Sequence, residues 1–241
     1  MINLSVIDLL LAMIPVIFVL LVLVSWRLNI SHTIYGITRM LIQLLLIGYV
    51  LVYIFSAEDY WPVLLVLVIM IVAASFIALR QLPPQYNKTG VFICALVATI
   101  LTGGSVLLLV TQLVLELTPW YLPQYMIPLA GMIFSYAMNA ISLATERLTS
   151  DLARGDDFTV ARNVAFQAAL IPTTNSLFAV GLVSLPGMMT GQILAGVSPF
   201  IAARYQIMVM CMLYGATGLS AAVYLVISRR YLLLPLSLIH I

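Results

Sequence analysis

Long apolar runs separated by short polar breaks dominate this chain. Taking roughly 20 apolar residues as the length that crosses a bilayer core, the pattern predicts seven spans. They lie at about 4–26, 37–56, 61–79, 90–115, 124–145, 164–186 and 205–228. Runs of this continuity exclude the strict alternation of an outer-membrane barrel. The predicted fold is all-α: a polytopic helical membrane protein made of one domain, 1–241.

Two interruptions depart from plain apolar sequence. In the fifth span, Ser135, Asn139, Ser142 and Glu146 recur every three or four residues, which puts them on one helical face. Polar groups inside a membrane face a bundle interior or an aqueous path. The stripe therefore either lines a substrate pathway or bonds a neighbouring helix, and both readings stand. In the sixth span, Pro172 removes a backbone donor, and Thr173, Thr174 and Asn175 can re-satisfy the groups it frees. That arrangement suits either a hinge beside a pathway or an ordinary tolerated kink.

A further interruption is GLVSLPGMMTGQILAG, residues 181–196. Gly181, Gly187, Gly191 and Gly196 permit positive φ or close backbone approach, and Pro186 ends or kinks a helix. Gly187 and Gly191 form a GxxxG pair able to bring two helices together. Irregular backbone at membrane depth is tolerated only against protein or beside a cavity. The segment therefore reads as a broken or re-entrant element, packed within the protein or across a subunit interface. Met188, Met189 and Gln192 are pathway candidates, the methionines either as soft thioether ligands or as flexible packing.

Charge fixes the expected orientation. Of ten basic residues, nine (Arg27, Arg39, Arg80, Lys88, Arg147, Arg154, Arg162, Arg229 and Arg230) fall on one side of the predicted spans, with Arg204 on the other. The positive-inside rule makes that side cytoplasmic, with the N-terminus out and the C-terminus in. Trp61, Trp120, Tyr121 and Tyr125 sit at predicted outer helix ends, as an aromatic belt does. The apolar start continues to Trp26 without a cleavage-site pattern and reads as a retained span.

Composition agrees. Of 241 residues, 64% are hydrophobic and 7% charged, and the mean hydropathy is +1.18, against about 25% charged in a soluble domain. Lipid is the solvent this composition requires. The net charge of +2 gives no reason to expect nucleic acid as a partner. Cys94 and Cys211 lie inside apolar runs as small hydrophobes. His32 and His240 are the only histidines, one in a predicted loop and one at the tail, so no metal site can be assigned. Asn87-Lys88-Thr89 matches a glycosylation acceptor but falls on the predicted cytoplasmic face. No GxxxxGK[ST] phosphate loop is present, so the chain is expected to bind no nucleotide and to be a transport subunit rather than an enzyme. The loop 146–162, able to form a short helix and turn, carries mixed charge (Glu146, Arg147, Asp151, Arg154, Asp156, Asp157 and Arg162), which suits a protein partner better than anionic lipid. A solvated turn that merely fixes topology is the alternative.

ALIPTTNS (169–176), VGLVSLPGMMTGQILAG (180–196) and RYQIMVM (204–210) closely resemble the FetB-type permeases. These are membrane subunits of an iron-export ABC transporter, related to plant subunits linked to aluminium tolerance. IPLAGMI (127–133), Asn139, Arg39 and Gln43 also fit that pattern. The resemblance implies a homodimeric permease of the bacterial plasma membrane that exports iron, another metal ion or a metal-linked solute. It also implies ATP hydrolysis on a separate ABC-type ATPase subunit docked near Asp151–Arg162. The chain departs from the family at Ser135-Tyr136, where Gly-Asn is usual, and in a shortened segment before the ALIP block. The competing classes are a transporter driven by an ion gradient and a structural or assembly membrane protein. The first would need a mid-membrane carboxylate, whereas Glu116 sits at a helix end.

Overall fold

The computed structural model describes residues 5–56 and 59–237, with the side chains of Val6 and of residues 234–237 left aside. Glu58 and His240 lie outside the described residues. The chain divides into two compact units, one within 1–57 and one within 58–241.

The first unit holds α1 (Val6–Ala12), α2 (Ile14–Ser25) and α3 (Ser31–Phe55). Ser5 and Asp8 form a capping box at α1, each satisfying a backbone N–H that a helix start leaves without a partner. Pro15 falls in the first turn of α2, where no hydrogen bond is lost. α2 buries none of its residues and α3 buries only Ile54. Helices in hydrocarbon can leave leucine, isoleucine and valine facing outward, because lipid tails are as apolar as the side chains.

The second unit carries the core. It runs α4 (Trp61–Ala78), α5 (Lys88–Ala98), α6 (Gly104–Leu108), α7 (Pro123–Ala153), α8 (Phe158–Ala179), α9 (Gly187–Leu194), α10 (Pro199–Ile227) and α11 (Arg229–Ser237). α5 and α6 belong to one continuous helical run, Lys88–Val114, interrupted by π-helical turns at Thr99–Gly103 and Leu109–Val114. α7 packs on α4, α8 and α10, and α8 packs on α10. Alanines line this seam: Ala137, Ala144, Ala161, Ala165 and Ala216 are fully buried. Small side chains let helix backbones approach closely where no hydrophobic effect drives them together.

Among the described residues, six helices are long and apolar enough to cross a membrane. They match six of the seven predicted spans. The remaining one, 164–186, is α8, which starts earlier and stops at Ala179. Its Arg162, Asn163, Gln167, Thr174 and Asn175 lower its hydropathy below that of the other six. The segment 146–162 is also helical for most of its length, not a loop. α7 continues to Ala153, a turn covers 154–157, and α8 begins at Phe158. The 31 residues of α7 make a rod of about 46 Å, longer than the roughly 30 Å hydrocarbon core.

Candidate functional site

Asn139 of the polar stripe and Pro172 of α8 line one cleft. α7, α8 and α10 enclose a cleft of about 190 Å³ lined by Tyr136, Asn139, Ala140, Leu143, Ala169, Pro172, Thr173, Ser176 and Thr217. α7 supplies Asn139 from its exposed face, and α8 supplies Thr173 and Ser176 on either side of one turn. α10 supplies the floor.

The hydroxyls of this cleft are tied in sequence. Thr217 Oγ1 donates to the Leu213 carbonyl at 2.8 Å. Thr173 Oγ1 lies 3.1 Å from Thr217 Oγ1. Thr217 has one proton, already engaged, so Thr173 is the donor in that pair. Ser176 Oγ donates to the Pro172 carbonyl at 2.9 Å. Bonds of Ser and Thr to the carbonyl four residues back are the usual way for such residues to sit inside a helix. Beside the cleft, Thr145 and Tyr224, both buried, hold their hydroxyl oxygens 2.7 Å apart, and Thr145 donates to the Ile141 carbonyl.

Of the residues singled out from the sequence, Asn139, Pro172 and Thr173 line the cleft. Ser135 is half-buried and donates to the Met132 carbonyl at 3.0 Å, and Ser142 is half-buried outside the cleft. Thr174 is half-buried and Asn175 exposed, neither in the lining. Tyr136, Ser176 and Thr217 were not singled out. Thr217 had a signal in the small, polar interruption GATGLS (215–220) of an otherwise apolar span, but its pairing with Thr173 is a tertiary fact.

The segment 181–196 is broken, and it stands apart from the cleft. Val180 bridges Ser184, Gly181 and Gly196 take φ of +83° and +92°, and Pro186 precedes α9. Such φ values favour glycine, which has no Cβ to clash. Apart from the backbone of α9 itself, no atom of the described residues lies within 4 Å of where a Cβ would stand on Gly187 or Gly191. Met188, Met189 and Gln192 are half-buried on α9. The Gln192 Oε1, Tyr205 hydroxyl and Gln206 Oε1 atoms are buried without a hydrogen-bond partner.

The α7–α8 hairpin is held by charge. Asp151 is buried, and its carboxylate accepts from Arg147 Nε at 3.0 Å and Arg154 Nη2 at 2.7 Å. Asp157 caps α8 by accepting from the Thr159 N–H at 2.7 Å, which holds its carboxyl below the ordinary carboxylate range. Arg162 donates to the neighbouring Asn163 Oδ1, and Glu146 is exposed. At the other end, Trp61, Trp120 and Tyr121 gather around Tyr60, with ring centroids 4.7 to 6.2 Å from it. Tyr60 is the member the belt pattern missed. Among the described residues, no group of three or more His, Cys, Asp or Glu could hold a metal ion.

Long apolar helices packed on one another define a polytopic α-helical membrane protein. The chain belongs to the family described as Uncharacterised protein family (UPF0014), whose model matches residues 6–233. It is 37% identical over 211 residues to the UPF0014 membrane protein slr1647 of Synechocystis, covering 80% of each chain. It is 36% identical over 214 residues to the Probable iron export permease protein FetB of Escherichia coli, covering 82% of this chain and 80% of that one. It is 33% identical over 238 residues to the Protein ALUMINUM SENSITIVE 3 of Arabidopsis thaliana, covering 91% and 83%. No solved structure matches the chain.

Proposed function

We propose that this chain is the membrane-spanning permease subunit of an ABC-type exporter of iron or another metal, driven by ATP that a separate subunit hydrolyses. The observation that carries this reading is the 36% identity, over about four fifths of both chains, to a relative named as a probable iron export permease. Two structural features support it. The cleft between α7, α8 and α10 offers a polar path among apolar helices, and Pro172 in its wall gives α8 a place to bend. The α7–α8 hairpin is a stiff, charged end on which an ATPase can push. In this reading the hairpin is cytoplasmic, and fusions at Asp59, Gln85, Trp120, Gly155 and Pro235 report out, in, out, in and in.

The test is reconstitution with the ABC-type ATPase of the same cell. ATP-dependent efflux of ferrous iron from vesicles is expected, and Arg162→Glu should reduce co-purification of the ATPase. Arg162 is the better probe than Arg154, whose reversal would break the Asp151 clamp and confound docking with folding. Efflux that ignores ATP and follows a proton gradient would overturn the reading in favour of a secondary transporter.

A further inference from the structure

We infer that Arg80, Lys88, Arg229 and Arg230 form a seat for the headgroup of one anionic phospholipid, at the end of the second unit where the α7–α8 hairpin lies. Such a lipid partner goes beyond the exporter reading and is independent of what the chain transports.

Packing gathers these four residues. The Arg229 guanidinium lies 5.1 Å from the centre of the Phe158 ring, which places the start of α11 beside the start of α8. Tyr231 lies against Gly90, two residues after Lys88, so α11 also meets the start of α5. Farther along α5, Cys94 Sγ donates to the Ile227 carbonyl at 3.5 Å. Arg80 follows α4, and the short connection from there to α5 is pinned by Leu82 and Tyr86. Both are buried in one cluster with Phe158 and Leu232. All four basic residues are exposed.

The hairpin and this basic face share an end of the unit but not a charge pattern. Glu146, Asp151, Asp156 and Asp157 all lie on the hairpin. Two of them are already engaged, Asp151 by two arginines and Asp157 by the Thr159 N–H. No Asp or Glu occurs between Asp59 and Glu116 or after Asp157, so α4, α5, α10 and α11 bring no acid to the face. An unbroken basic cluster beside a membrane favours anionic lipid. Arg229 suits a phosphate in particular. A guanidinium stacked on a ring keeps its edge N–H groups for a two-pronged grip.

The surface inward of these charges is apolar. Phe76, Ile93 and Val226 are exposed, each within about a turn and a half of Arg80, Lys88 or Arg230 along the chain. A ligand with an anionic head on apolar tails matches that order. A free phosphate or a soluble partner would use only its charged half.

Lipid retained by the full chain in detergent is counted by native mass spectrometry during titration with dioleoylphosphatidylglycerol or dioleoylphosphatidylcholine. Preferential retention of one phosphatidylglycerol is expected. Lys88→Gln and Arg230→Gln should each weaken it about fivefold, the factor that one basic residue contributes at an anionic surface. Lys88→Arg keeps the charge and should bind as the parent does. Arg204→Gln removes an equal charge at the far end of α10 and should also leave retention unchanged. Equal retention of the two lipids would overturn the inference, as would equal retention of phosphatidylglycerol by the parent and both Gln variants. If the Gln variants lost the ATPase on co-purification but kept the lipid, this face would belong to the partner subunit and the inference would fall.

Discussion

The α7–α8–α10 seam and the 181–196 segment are both rich in small residues, and they use them in opposite ways. In the seam, alanines are fully enclosed and hydroxyls are paired across helices. Around α9, the glycines have open space among the described residues where a Cβ would stand, while Leu182, Leu194 and Phe200 are more than four-fifths exposed. Small residues in the seam are there to be touched. Those on α9 either wait for a second copy of the chain or serve the bend alone, and substitution separates these roles.

The largest effect is expected at Ala165, buried on α8 between its neighbours. Ala165→Leu inserts three carbons into a filled seam, costing about 1–3 kcal/mol or more, and should abolish a monodisperse peak in detergent. Next comes Thr145→Val, which strips the buried Tyr224 hydroxyl of its partner for about 1–3 kcal/mol. Adding Tyr224→Phe should recover most of that loss in thermal unfolding, since the orphaned group is then gone. Gly191→Leu should leave the monomer fold intact and even favour the α9 helix by up to about 1 kcal/mol. A loss of transport or of dimer on crosslinking in this variant would assign the face to a second copy, and full function would assign the glycine to flexibility. Met188→Leu conserves volume and should change stability by less than about 1.5 kcal/mol. Loss of metal export with the protein assembled would give the sulfur a ligating role.

How much of this was legible in the sequence follows the range of the forces involved. Apolar runs report the spans because lipid acts on each helix alone, and six matched. Polar residues interrupt the apolar run at Glu146, so the sequence marks the end of the span there and not that one helix runs on to Ala153. The helix continues there because Leu148, Thr149 and Leu152 remain buried on its inner face and Asp151 gathers two arginines. Asn139 was legible from helical spacing. Pro172 and Thr173 were named from the break in the sixth span, but the pairing of Thr173 with Thr217 was not legible, since they lie 44 positions apart and meet only through packing. The break at 181–196 was plain from its glycines and proline, but nothing local reveals which face a broken segment leaves open.

The alanine seam also sets how this protein can vary. A single base change in an alanine codon yields glycine, serine, threonine, valine, proline, aspartate or glutamate. Only glycine and serine bring no branch, ring or charge into a space already closed around a methyl group. Inherited variants that disable the protein should therefore collect at the buried alanines of α7, α8 and α10, and the mutational record of the gene will trace the contact between these helices.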